Sequence, residues 1–161
     1  MNKKIKWVSI VLVVLIVVVG IIVYLGKDSE NPAMEYTEAN TKLYSGNGYE
    51  VRYPNNWSLD PSGEVAGIVV FTDDSDLRKE IVIISTEENA EKDIREAIEV
   101  VKEERISISG TTGTLLTGAN LESGGTERIV FVRSKDGRKS YALIGSAPEF
   151  TIFFETFKMV E

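Results

Sequence analysis

Residues 41–57, TKLYSGNGYEVRYPNNW, decide the fold, because apolar and polar side chains alternate on both sides of Asn47-Gly48. A period of two is typical of half-buried strands, and Asn-Gly is a strong signal for a two-residue hairpin turn. The alternating residues are Leu43, Tyr44, Tyr49, Val51 and Tyr53. Pro54 ends the second predicted strand, and Trp57 and Leu59 form a short extended segment after it.

The aromatic side chains of this stretch have two interpretations. Tyr49 and Tyr53 share one face of their strand with Val51, and Trp57 follows after a turn. Aromatic residues in strands usually fill a pleated, half-buried surface, which favours packing in the core. The alternative is an exposed aromatic patch that recognises a ligand.

Downstream, two apolar runs predict central antiparallel strands at Val65–Thr72 and Glu80–Thr86, joined by a polar loop, Asp73–Lys79. An amphipathic helix is predicted next from apolar residues at helical spacing: Ala90, Ile94, Ala97, Ile98 and Val101. Its start is a capping box at Ser85–Glu88 or, alternatively, an N-cap at Asn89.

The last third of the chain predicts more strands and a second helix. Short strands are expected at Arg105–Ser109 and Thr114–Thr117, and a hairpin at Arg128–Arg133 and Ser140–Gly145 around Asp136-Gly137. Ser146 is the predicted N-cap of the closing helix, whose apolar stripe is Phe150, Phe153, Phe154, Phe157 and Val160. The order predicts an α+β fold, a three-layer α/β/α sandwich around a mainly antiparallel sheet.

Upstream, residues 7–25, WVSIVLVVLIVVVGIIVYL, contain no charged side chain and predict one transmembrane helix. As a helix at about 1.5 Å per residue, this run is roughly 28 Å long, close to the thickness of a hydrocarbon core. Lysines in residues 1–6 place the N-terminus in the cytoplasm. Residues 26–40 then form a polar linker, and residues 41–161 an extracytoplasmic domain. A cleaved signal peptide is the alternative, but the run is long and lacks a small-residue cleavage site.

Composition excludes several functions. The formal net charge is −7, which disfavours binding of nucleic acid and of anionic lipid by the domain. There is no histidine and no cysteine, so Ser-His-Asp triads, cysteine nucleophiles and imidazole-ligated zinc are excluded. Gly113 to Gly118 has the glycine spacing of a P-loop, but Ala119-Asn120 replaces the required Lys-Ser/Thr pair.

One acidic loop is a weak candidate for a calcium site. Asp73, Asp74 and Asp76 could present carboxylate oxygens, which Ca²⁺ prefers. The loop lacks the central glycine and the closing glutamate of an EF-hand, so a solvated hairpin tip is the favoured interpretation. No cofactor is expected.

Residues 48–57, GYEVRYPNNW, resemble the opening motif of PsbP-like domains, the superfamily of the photosystem II extrinsic subunit PsbP. Val69-Val70-Phe71, Arg138-Lys139-Ser140-Tyr141 and the Phe-rich closing helix are also similar to that family. The resemblance implies an α/β/α sandwich in which Tyr49, Tyr53, Pro54 and Trp57 are structural motif residues. It implies a membrane-anchored prokaryotic member and does not imply an activity.

The sequence therefore predicts a single-pass membrane protein whose outer domain is a non-catalytic protein-binding or accessory module. Its expected partner is another envelope or membrane protein. A carboxylate-based enzyme and a structural component of a membrane complex are the alternatives, since 25 acidic residues allow many carboxylate pairs.

Overall fold

A computed structural model describes residues 36–60, 62, 64–87 and 91–160. The folded unit spans Tyr36–Glu161. The predicted cytoplasmic segment 1–6, the span 7–25 and linker residues 26–35 lie outside the described residues. Among the residues that are described, no helix has the length and apolar character needed to cross a membrane.

The described residues form ten strands in two antiparallel sheets. The small sheet has the order β1-β2-β10, with β1 (Thr41–Gly46), β2 (Tyr49–Pro54) and β10 (Lys158–Met159). The large sheet has the order β3-β4-β5-β9-β8-β7-β6. Its strands are β3 (Trp57–Asp60), β4 (Ile68–Asp73), β5 (Asp76–Thr86), β6 (Ile98–Ile108), β7 (Thr111–Asn120), β8 (Thr126–Arg133) and β9 (Ser140–Gly145). Two short helices, α1 (Glu91–Glu96) and α2 (Phe150–Thr156), and two 3₁₀ turns, Glu38–Asn40 and Glu64–Ala66, complete it.

Each face of the large sheet has its own core. Along β8, Val130 and Val132 join a large cluster with the small sheet and α2, whereas Ile129 and Phe131 join a smaller cluster. Ile94 of α1 packs on that smaller cluster. The predicted α+β class with mainly antiparallel pairing is confirmed. The two helices pack on different cores, as predicted, and the small sheet, which was not predicted as a separate sheet, packs on the same core as α2.

The first predicted helix is confirmed at Glu91–Glu96 and is wrong beyond that point. It ends at Glu96, and residues 98–101 begin the long strand β6, which pairs with β7. Ile94 and Ile98 both contact the smaller core, so their spacing of four residues resembles a helical stripe. Ile94 lies before the end of α1 and Ile98 lies after it, yet both side chains pack on the same core. The β-branched residues after Ala97 favour a strand there.

The closing helix is shorter than predicted at both ends. It begins after Glu149 without a side-chain cap, so Ser146 is not its N-cap, and it ends at Thr156. Phe157 is extended, with φ −61° and ψ 126°, yet its ring is buried and stacks on Tyr49 with centroids 5.3 Å apart. Phe157 thus belongs to the predicted apolar stripe because it packs in the core, although it lies beyond the end of the helix.

The boundaries of several strands also differ from prediction. The first central strand begins at Ile68 rather than Val65, because a 3₁₀ turn precedes it. The next begins at Asp76, so Asp74 and Ser75 alone form the turn that was predicted to span Asp73–Lys79. The two short strands expected near Arg105 and Thr114 are parts of the long strands β6 and β7.

The folded unit begins five residues before the predicted boundary at Thr41. Tyr36 packs against the large core, and the Asn55 amide donates to the Asn40 carbonyl at 3.0 Å. β1 runs from this end of the unit to the turn at Asn47-Gly48. The chain therefore enters the unit at the end opposite to that turn.

Candidate functional site

Three hairpin connections meet at the end of the unit that is remote from Tyr36. They are the β1–β2 turn at Asn47-Gly48, the β6–β7 turn at Ser109-Gly110 and the β8–β9 loop at residues 134–139. In the first two, both turn residues have positive φ: 52° and 81°, then 52° and 71°. Such two-residue turns match the twist of their strands, so each tip has a defined direction.

Long-range hydrogen bonds hold the tips together. The Tyr141 hydroxyl donates to the Gly48 carbonyl at 3.1 Å, and the Val160 amide donates to the same carbonyl at 2.9 Å. The Met159 amide donates to Ser109 Oγ at 2.9 Å. Because these bonds join segments far apart in sequence, the tips form one preorganised surface.

Between the tips lies a cleft of about 900 Å³, here called the hairpin-tip cleft. This volume is in the range of small-molecule and peptide-group sites, roughly 300–1,000 Å³. The lining residues are Gly48, Glu87, Ser109, Ser134, Lys135, Asp136, Arg138, Lys139, Tyr141, Met159 and Val160. Backbone, hydroxyl and charged groups are thus presented together with two apolar side chains.

The charges of the cleft differ from those of the chain as a whole. Lys135, Arg138 and Lys139 line the cleft together with Glu87 and Asp136, whereas acidic residues outnumber basic ones overall. The Lys139 ammonium donates to the Asn47 carbonyl at 3.4 Å, which holds it at the rim. The cleft is therefore a locally cationic surface on an acidic protein.

The Asp136 carboxylate accepts hydrogen bonds from groups of its own loop. Asp136 Oδ1 accepts hydrogen bonds from Ser134 Oγ at 2.6 Å and from the Arg138 amide at 3.0 Å. The hydrogen bond from the Ser134 hydroxyl is the largest cause of a lowered pKa at Asp136, followed by the bond from the Arg138 amide. Asp136 therefore stabilises the β8–β9 loop while its cationic neighbours face the cleft.

A smaller cavity of about 180 Å³ lies on the opposite face of the large sheet. Phe131, Ala142 and Ser140 contribute to its lining, and Glu91 and Arg133 provide charge. Its volume is below the usual range for a drug-sized ligand. The hairpin-tip cleft is the better candidate site.

The predicted motif residues lie in the core. Tyr49 and Trp57 are each 1% exposed, Tyr53 is 7% exposed, and Pro54 is buried. Trp57 packs against Phe153 with ring centroids 5.6 Å apart. None of the four lines the cleft, so the aromatic-patch alternative receives no support from their positions.

The predicted calcium ligands do not converge. Asp73 is 3% exposed, and its Oδ1 accepts from the Ser75 amide at 2.8 Å and the Ser75 hydroxyl at 2.6 Å. These bonds, that of the hydroxyl first, lower the pKa of Asp73. Asp74 accepts a hydrogen bond from the Ser58 hydroxyl.

Asp76, the third predicted ligand, pairs with Arg78 through both carboxylate oxygens, at 2.9 and 3.1 Å. The side-chain bonds from Arg78 are the largest cause of the lowered pKa of Asp76. Within the described ranges, no group of three or more acidic side chains is placed to hold a metal ion. Calcium binding by this loop stays a prediction, without geometric support.

One pair of carboxylates was not predicted. Lys79 Nζ lies 3.6 Å from Asp73 Oδ2 and 3.8 Å from Glu149 Oε1, so one ammonium serves both groups. Glu149 Oε2 is buried without a hydrogen-bond partner among the described residues. Neither carboxylate lines the hairpin-tip cleft or the smaller cavity. No spacing in the sequence connects residues so far apart.

The hairpin-tip cleft was also missed, although its components were visible. Asn47-Gly48 and Asp136-Gly137 are predicted turns, whereas Ser109 is only the predicted end of the strand Arg105–Ser109. A Ser-Gly pair between two β-rich segments is itself a turn signal. Which turns share one end of the fold depends on strand order, which local patterns do not specify.

The described strands and helices form a small, mainly antiparallel domain with a PsbP-like fold. The fold is similar to that of cyanobacterial PsbP (CyanoP) from Synechocystis sp. PCC 6803, with a TM-score of 0.56 and 18% sequence identity. That similarity covers 78% of this chain and 95% of the cyanobacterial one. At this identity the similarity shows the fold alone.

A protein of Bacteroides thetaiotaomicron VPI-5482 also matches, with a TM-score of 0.46 and 16% identity. The match covers 76% of this chain and 49% of that protein. No protein-family model matches the sequence, and no curated protein matches it.

Proposed function

We propose that this chain is a single-pass membrane protein whose PsbP-like domain lies outside the cytoplasm and binds another envelope or membrane protein through the hairpin-tip cleft. The observation that carries the proposal is the convergence of three hairpin tips, fixed by hydrogen bonds from Tyr141, Met159 and Val160. Binding residues commonly lie on loops that a rigid scaffold positions.

The proposed role is non-catalytic. The sequence lacks histidine and cysteine, and the carboxylates that share Lys79 do not line the cleft. In the cleft the Ser134 hydroxyl donates to Asp136 Oδ1 at 2.6 Å, but both groups are used within the β8–β9 loop, so we assign the charged and hydroxyl groups of the lining to binding. A hydrolytic activity of the full chain that Asp73→Asn or Glu149→Gln abolishes would instead support the carboxylate-based enzyme.

The uncharged run at residues 7–25 supports the membrane anchor, and the lysines before it support a cytoplasmic N-terminus. Within the folded unit, the chain enters at Tyr36, at the end remote from the cleft.

The proposal is tested by photo-crosslinking in carbonate-washed membranes of cells that produce the full chain. Val160→p-benzoylphenylalanine places the probe at the cleft, where the native side chain is 47% exposed. Leu121→p-benzoylphenylalanine is the matched control, since Leu121 is 63% exposed in the β7–β8 turn at the opposite end.

We expect a discrete crosslinked protein from position 160 and none, or a weaker band, from position 121. Equal labelling from both positions, or no adduct from position 160, would contradict binding at the cleft. Release of the chain by carbonate would contradict the membrane anchor.

A further inference from the structure

We infer that the hairpin-tip cleft binds a carboxylate-rich peptide segment of its partner; this inference rests on the proposed function. Lys135, Arg138 and Lys139 bring three cations to one cleft in a chain of net charge −7. An acidic segment is repelled by most of the protein surface and attracted here, so the charge pattern both selects and orients it.

Lys139 is the fixed cation of the site. Its side chain is half-buried, and its ammonium donates to the Asn47 carbonyl at 3.4 Å. An ammonium has three donors, and this bond uses one of them. Gly48 keeps the space open, because a Cβ there would lie 3.2 Å from Lys139 Nζ and 3.1 Å from the Tyr141 hydroxyl oxygen. The ammonium thus lies beside a backbone segment that the turn holds in place.

Lys135 and Arg138 extend the positive surface along the β8–β9 loop. Both side chains are exposed, and Arg138 Nε lies 3.5 Å from Asp136 Oδ2. The Asp136 carboxylate is hydrogen-bonded within its own loop. Glu87 is the other acidic residue of the lining. Exposed ion pairs are individually weak, so affinity requires several carboxylates on one ligand.

The remaining anions favour a peptide over a phosphate polymer. Glu87 and Asp136 interrupt the cations, and the net charge of the chain opposes a continuous phosphate backbone. Carboxylates on a flexible peptide carry one charge each and can approach separate ammonium groups. The Ser109 hydroxyl accepts from the Met159 amide and can still donate its own proton to a peptide carbonyl.

The test measures binding of fluorescein-labelled hexaglutamate to the full chain in mild detergent, with hexaserine and inorganic phosphate as comparison ligands. Lys135→Gln combined with Lys139→Gln removes two positive charges from the cleft. Lys92→Gln combined with Arg105→Gln removes two from exposed positions elsewhere and is the matched control. We expect the cleft variant to weaken hexaglutamate binding on the order of tenfold and the control to change it less than about twofold.

Absence of hexaglutamate binding, an equal loss in both variants, or phosphate binding without peptide binding would overturn the inference. The crosslinking experiment distinguishes this failure from failure of the proposed function. An adduct from position 160 to a segment without acidic residues overturns the ligand class and leaves the binding role intact. No adduct from that position overturns both.

Discussion

Gly67 and Gly110 have similar positive φ values, 77° and 71°, but different surroundings. A Cβ at position 67 would lie 1.9 Å from the Ser85 carbonyl oxygen, whereas a Cβ at position 110 would meet nothing within 4 Å. The Ser85 amide also donates to the Gly67 carbonyl at 2.7 Å. At Gly67, backbone conformation and close approach therefore both require glycine.

Gly67→Ala and Gly110→Ala separate these two requirements. Both variants impose a left-handed conformation on alanine, which costs about 1–2 kcal/mol. Only Gly67→Ala adds a collision with backbone, so its free energy of unfolding should fall by at least about 1 kcal/mol more. Urea unfolding of both variants measures the difference, and equal losses would show that β5 moves aside without cost.

At the scale of elements, the two sheets are joined at the hairpin tips by single hydrogen bonds. The Tyr141 hydroxyl on β9 of the large sheet donates to Gly48 in the turn of the small sheet. Tyr49, on β2, packs edge-on against Tyr141 with centroids 5.8 Å apart, but its hydroxyl is buried without a partner among the described residues. Burial, with a smaller effect of the Tyr44 hydroxyl, raises the pKa of Tyr49.

Two phenylalanine substitutions test this joint. Tyr141→Phe removes the bond to Gly48 and should lower the free energy of unfolding by about 1 kcal/mol. Tyr49→Phe removes a buried hydroxyl that has no hydrogen bond of regular geometry among the described residues, so stability should stay within about 0.5 kcal/mol or rise. Chemical denaturation gives both values, and a larger loss from Tyr49→Phe than from Tyr141→Phe would contradict this account.

For the whole molecule, stability should depend on pH at the two extremes. Hydrogen bonds and nearby cations lower the pKa of Asp60, Asp73, Asp76, Glu103 and Asp136. Around pH 4 the unfolded chain then binds more protons than the folded chain, so stability is present above that range and lost as pH falls through the lowered pKa values. Between about pH 5 and 8 stability should change little, because there is no histidine.

At the alkaline extreme, burial raises the pKa of Tyr44 to about 12, with a contribution from its hydrogen bond to Glu64. The folded chain keeps this proton after unfolded tyrosines lose theirs, so stability falls as pH rises above about 10. Thermal unfolding across pH measures both losses. Asp136→Asn should reduce the acid loss, and a main transition between pH 5 and 8 would contradict the assignment.

The predicted hairpins were confirmed where local chemistry specifies the turn. Asn47-Gly48 connects β1 to β2, and the loop containing Asp136-Gly137 connects β8 to β9. The helix predicted over residues 90–101 is confirmed only at Glu91–Glu96, because Ile94 and Ile98 contact one core from two different elements. Periodicity over a short window does not separate a helix from a helix end followed by a strand.

The sequence by itself determined the turns at Asn47-Gly48 and Asp136-Gly137, the buried aromatic face of β2, the acidic charge and the lack of histidine and cysteine. These features depend on residue type and on neighbours a few positions away. Only the tertiary structure decided that three hairpin tips form one cationic cleft and that Asp73 and Glu149 share Lys79. Strand order brings these groups together, and strand order results from packing of the whole chain, which local patterns do not contain.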